Sequence, residues 1–149
     1  MKIRVTEINI SCAHFIETDG AFEPLHGHNI EVSAEVEGRE DEPMVMDFRE
    51  LRSLINGICD ELDHRVIVPE GNPHLVLKRS EGCIEIKTPK KRYRFPLTDV
   101  AVIPNRNSTV EEIGRYIFRS LKGDLPREAT LSSVGVSEKP GQEAVISWA

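Results

Sequence analysis

The sequence predicts an α+β protein in which an antiparallel sheet carries two helices on one face, in the order β-β-α-(hairpin)-α-β-β. Three observations predict it. Apolar and polar residues alternate at both ends of the chain; two inner stretches place apolar residues at helical spacing; turn signals cut the remainder into short β-rich runs. A chain of 149 residues is long enough for one core, so a single domain over 1–149 is expected.

Ile3 and Val5 fall on one parity and Ile8, Ile10 and Cys12 on the other, which requires a bulge near Thr6-Glu7. From His28, Ile30, Val32, Ala34 and Val36 alternate with polar neighbours, describing a strand wet on one face and buried on the other, ending at Gly38. Asp47 stands where it can cap a helix whose third residue is Glu50. Leu51, Leu54, Ile55, Ile58, Cys59 and Leu62 form its apolar stripe, and the helix should stop near Asp63-His64. Residues 65–106 read as an inserted hairpin region, with β-rich runs at 74–78, 83–87 and 92–96. A second helix is expected from the capping spacing Ser108-Thr109-Val110-Glu111 to Lys122-Gly123. Two strands then close the chain around Lys139-Pro140-Gly141. Val134, Val136 and Glu138 share a face of the first, and Ala144, Ile146 and Trp148 a face of the second.

Nineteen Lys plus Arg against twenty-five Asp plus Glu give a net charge of −6, which argues against a nucleic-acid partner. No apolar run approaches the roughly 20 residues of a membrane span. The first residues, Met1 to Val5, lack the apolar core of a signal peptide, so a cytoplasmic protein is expected. Three cysteines, an odd number without a CxxC pair, fit reduced thiols.

The chemistry gathers on histidines. His26 and His28 are two apart, so both imidazoles leave an extended chain on one face. His14 ends the preceding strand on the parity of Cys12, and a hairpin through Phe15 to Leu25 would bring it opposite them. Three neutral imidazoles suit a catalytic zinc with an open fourth position; the plainer reading is a polar strand end. Asp63-His64 reads either as a helix terminus or as a carboxylate-tuned proton-transfer pair. Glu138 is either a solvated strand end or an acceptor for an amidine-like ring edge such as that of a guanine or pterin. Lys87, Lys90, Lys91, Arg92 and Arg94 read as a solvated hairpin edge, or as a contact for phosphates.

Ser11-Cys12-Ala13-His14, His26-Gly27-His28, Met44-Val45-Met46-Asp47-Phe48, Leu62-Asp63-His64, Asn107-Ser108-Thr109-Val110-Glu111 and Val136-Ser137-Glu138 together resemble the 6-pyruvoyl tetrahydropterin synthase family over nearly the whole chain. The resemblance implies the tunnelling fold, in which subunits join their sheets into a barrel, commonly as a homohexamer. It also implies zinc on His14, His26 and His28, proton transfer by Asp63 and His64, and a pterin anchored by Glu138 with help from Thr109 and Glu111.

One position departs. Family members that make pyruvoyl or carboxy tetrahydropterin carry a cysteine four residues before the HxH pair, where this chain has Phe22, with Glu23 beside it. That resembles the branch with glutamate in place of the cysteine, associated with cleaving the side chain of 7,8-dihydroneopterin triphosphate to 6-hydroxymethyl-7,8-dihydropterin, a folate-type precursor. The expected function is therefore a zinc-dependent pterin lyase with Glu23 as base. The alternatives are a 6-pyruvoyl or 6-carboxy tetrahydropterin synthase, with Glu23 or Cys12 in the cysteine's place, and a non-catalytic pterin- or purine-binding protein.

Overall fold

The computed structural model describes residues 1–148. Alternation builds the centre of the sheet. β1 (Lys2–His14) and β4 (His26–Glu37) pair antiparallel, with Ile10 opposite Ile30 and His14 opposite His26. The expected bulge lies between Val5 and Ile8, where Glu7 takes a left-handed φ of 61° and restores the buried parity. A small hairpin, β2 (Glu17–Thr18) and β3 (Ala21–Phe22), occupies the connection.

β10 (Thr130–Lys139) adds antiparallel to β4, and β11 (Gln142–Ile146) adds to β10. The return strand stops at Ile146, so Trp148 does not extend the buried row as expected. It is 83% exposed.

α1 (Phe48–Asp60) starts at Asp47, whose side chain accepts the Arg49 N–H, as the cap spacing predicts. α2 (Val110–Asp124) starts at Thr109, whose hydroxyl accepts from the Glu112 N–H at 3.4 Å. Leu51, Ile55 and Ile58 of α1 and Ile113, Ile117 and Leu121 of α2 pack with Ile10, Ile30, Val32 and Val134 in the main core. Burying each such side chain stabilises the fold by about 1.5–3 kcal/mol.

The antiparallel expectation holds for these four strands and is corrected at the other side of the sheet. β5 (Arg65–Pro69) pairs parallel to β1, and β9 (Val100–Ile103) parallel to β5, giving a mixed six-stranded sheet ordered β11-β10-β4-β1-β5-β9. The inserted region is a separate three-stranded sheet of β6 (Val76–Ser80), β7 (Cys83–Lys87) and β8 (Arg92–Pro96). Its inward residues Leu77, Ile84, Ile86, Tyr93 and Phe95 build a second core with Phe15, Val68 and Val100. Among the described residues, no helix is long and apolar enough to cross a membrane.

Candidate functional site

Three core-facing rows each end in a polar side chain. On β1 the row Ile8, Ile10, Cys12 ends at His14; on β4 the row Val32, Ile30 ends at His28 and His26; on β10 the row Val134, Val136 ends at Glu138. Register brings the ends together. The three histidine rings lie 4.8, 4.9 and 5.2 Å apart between centroids, and one ligating nitrogen from each falls within 4.8 Å of the others. Glu138 Oε1 sits 3.8 Å from His14 Nε2 and 3.9 Å from His28 Nε2, while Glu23 Oε2 sits 3.9 Å from His26 Nε2.

Two of the rings are oriented by backbone carbonyls. His14 Nδ1 lies 2.7 Å from the Ser108 carbonyl, and His26 Nδ1 lies 2.7 Å from the Pro24 carbonyl. A carbonyl can only accept, so each Nδ1 carries the proton and each Nε2 presents a lone pair. Burial, opposed by the Ser108 hydrogen bond and by Glu138, holds the His14 pKa below its ordinary value and keeps the ring neutral. His14 Nε2 is fully enclosed and has no hydrogen-bond partner among the described residues, a costly state for a lone polar atom. A metal ion would satisfy it: neutral nitrogens with second nitrogens fixed by carbonyls are the donor set such an ion takes. The cluster could therefore hold a metal.

Asp63 and His64 sit on the flank of β1. The Ser11 N–H donates to Asp63 Oδ1 at 2.7 Å, and the His64 N–H donates to the Ser11 carbonyl at 2.6 Å, with His64 in the left-handed region at φ 57°. His64 Nδ1 lies 3.0 Å from Asp63 Oδ1, and its side chain is 80% exposed. The Ser11 amide first, then the imidazole, holds the Asp63 carboxyl below its usual range. The dyad is thus tied three residues upstream of His14 and opens on a shallow pocket with Ser11, Arg65 and Asp99.

Thr109 uses its hydroxyl to cap α2, and Glu111 lines a separate groove with Arg115 and Trp148. Within one chain Glu111 is not part of the histidine cluster, while Thr109 follows the Ser108 whose carbonyl orients His14. Cys12 is packed in the main core, and burial, with Glu138 and Asp63 nearby, pushes its thiol up to about 12.

Sequence reasoning missed Ser108, Pro24 and Asn107. The first two act through carbonyls, which leave no residue signature. Asn107 clamps the backbone of Glu17, accepting its N–H at 3.1 Å and donating to its carbonyl at 2.8 Å. An Asn just before a helix cap is the signal that could have found it.

The mixed sheet with two helices and a three-imidazole cluster facing carboxylates defines a class of α+β protein whose histidine group could hold a metal ion. The family model for 6-pyruvoyl tetrahydropterin synthase matches residues 3–148, and the chain belongs to that family, whose enzymes are pterin-synthase-type lyases. The 6-carboxy-5,6,7,8-tetrahydropterin synthase of Haemophilus influenzae is 28% identical over 90% of this chain and 90% of its own. The dihydroneopterin monophosphate aldolase of Pyrococcus furiosus is 36% identical over 44% of this chain and 57% of its own. A solved 6-pyruvoyltetrahydropterin synthase of Plasmodium vivax, a catalytic-residue mutant with glutamate changed to cysteine, superposes with a TM-score of 0.89 at 31% identity, covering 98% of this chain and 96% of its own.

Proposed function

We propose that the protein is a zinc-dependent lyase that cleaves the side chain of 7,8-dihydroneopterin triphosphate, leaving 6-hydroxymethyl-7,8-dihydropterin. The observation that carries this reading is the group beside the imidazoles: a carboxylate, Glu23, 3.9 Å from His26 Nε2, while Cys12 is locked in the core. The Pyrococcus aldolase supports the cleavage, and the Plasmodium relative, itself named a 6-pyruvoyltetrahydropterin synthase, supports a glutamate as a catalytic residue.

Zinc on His14, His26 and His28 would lower the pKa of the substrate's two vicinal hydroxyls. Glu23 takes the proton from the outer hydroxyl. The bond between the two hydroxyl-bearing carbons then breaks in a retro-aldol sense, its electron pair moving toward the imine-like ring and its outer carbon leaving as an aldehyde that carries the phosphates. His64, oriented by Asp63, returns a proton to the inner carbon, and that carbon becomes the hydroxymethyl group. Glu138 accepts paired hydrogen bonds from the pterin edge, with Thr109 and Glu111 contributing at subunit boundaries of a cytoplasmic homohexamer.

A second reading is favoured by the Haemophilus relative's name: removal of a carbon-bound proton and loss of triphosphate, as in a pyruvoyl or carboxy tetrahydropterin synthase. Incubating zinc-loaded protein with 7,8-dihydroneopterin triphosphate and identifying the pterin by mass separates the two. Hydroxymethyl product is expected. A pyruvoyl or carboxy product would select the second reading, and unchanged substrate would point to a binding protein.

A further inference from the structure

The inserted sheet β6–β8 contributes none of the three histidines, yet it packs against the loop that brings Glu23 to them. Phe15, fully buried and next in sequence to His14, stacks on Tyr93 of β8 with centroids 5.2 Å apart and planes 2° from parallel. Tyr93 stacks in turn on Phe95 at 6.0 Å, and Phe15 meets Phe22 edge-on at 5.9 Å. A continuous row of four rings thus runs from the insert to the residue preceding Glu23. Leu25 packs in the same core, so apolar anchors bracket Glu23-Pro24 on both sides. The Glu23 N–H donates to the Ile16 carbonyl at 2.8 Å, closing the loop beside Phe15. The Glu23 side chain itself is 52% exposed and, among the described residues, has its nearest ion-pair partner in His26 Nε2 at 3.9 Å, too far for a hydrogen bond that would fix it. Its position is inherited from the backbone, and the backbone is held by the rings.

We propose that Tyr93 is a positioning residue for Glu23, so that the insert sets the rate of the reaction through the base. The proposal rests on the lyase reading for its kinetic consequence but not for its structural one. A base displaced by about 1 Å costs up to roughly 10²-fold in rate. Flat stacking needs a ring but not the tyrosine hydroxyl.

The test uses full-length zinc-loaded protein in four forms beside wild type: Tyr93→Leu, Tyr93→Phe, Glu23→Gln and the double variant Glu23→Gln/Tyr93→Leu. With 7,8-dihydroneopterin triphosphate, Tyr93→Leu is expected to lower kcat roughly 10- to 100-fold with KM within about threefold and zinc content unchanged. Tyr93→Phe should restore kcat to within about twofold. In the Glu23→Gln background, Tyr93→Leu should cost less than about twofold more, because a residue acting through Glu23 has nothing left to position. The same fold loss in both backgrounds would overturn the proposal, as would wild-type kcat in Tyr93→Leu. Amide hydrogen exchange reads the structural consequence without turnover: the Glu23 amide should exchange at least about tenfold faster in Tyr93→Leu, with Ile30 to Val36 unchanged. An unchanged Glu23 amide refutes the positioning role even if the wild type makes no product, whereas a wild type without product refutes the lyase reading alone.

Discussion

At the scale of single residues, the site separates a carboxylate that is free to accept a proton from one that is already committed. Glu23 faces His26 and solvent, so Glu23→Gln, which keeps shape and loses basicity, is expected to lower turnover roughly 10²- to 10⁴-fold while zinc stays bound. Cys12→Ala should leave turnover within a few fold, because a thiol pushed up to about 12 supplies no base near neutrality. Steady-state rates with metal analysis check both; wild-type turnover in Glu23→Gln with a dead Cys12→Ala would reverse the assignment. Asp63 is bound by the Ser11 amide and His64, and its depressed pKa sets the sign of a pH effect. A carboxyl depressed in the folded state stabilises it above the ordinary value of 3.8 and loses that contribution as pH falls through the depressed value. Wild type should therefore unfold at higher urea than Asp63→Asn from pH 7 to about 4, and the gap should close below that. A gap that widened toward acid would contradict the assignment.

At the scale of elements, glycines distinguish tight joints from slack ones. Gly57 in α1 has open space where a Cβ would go, so Gly57→Ala should stabilise the protein by up to about 1 kcal/mol. At Gly71, after β5, a Cβ would meet the carbonyl oxygens of Pro104 and Asn105 at 2.5 and 2.9 Å; Gly71→Ala should cost roughly 1–3 kcal/mol. Urea titrations of the two variants should move in opposite directions. The elements legible in the sequence were those with a local signature: the bulge at Glu7, the Asp47 cap, both helical stripes and the turn at Gly141. β5 and β9 were not legible, because Val66-Ile67-Val68 and Val100 to Ile103 are short continuous apolar runs. Such runs mark strands covered on both faces and show no alternation. The three imidazoles could be read from spacing because strand parity fixes side-chain direction. Their orientation could not, since it depends on the carbonyls of Ser108 and Pro24.

At the scale of the whole molecule, the sheet ends in two strands, β11 and β9, each with one side unpaired. Val145 on β11 is exposed, and so is Trp148, the chain's one tryptophan. Open edges of this kind favour association, so a closed symmetric assembly is expected, with a light-scattering mass near six times 16.8 kDa. Val145→Lys should shift that mass toward the monomer and Trp148 emission to the red; a wild-type monomer at micromolar concentration would refute the assembly. The chain's topology also orders events during synthesis. All three imidazoles are made within the first 28 residues, but the Ser108 carbonyl that fixes the tautomer of His14 is made about eighty residues later, and the Glu138 carboxylate later still. At roughly 5–20 residues per second, a nascent chain carries all three imidazoles for several seconds on the ribosome before the carbonyl that orients His14 is made. Metal capture before release is thus open to the growing chain, whereas the tautomer of His14 is defined only once Ser108 has been added and packed.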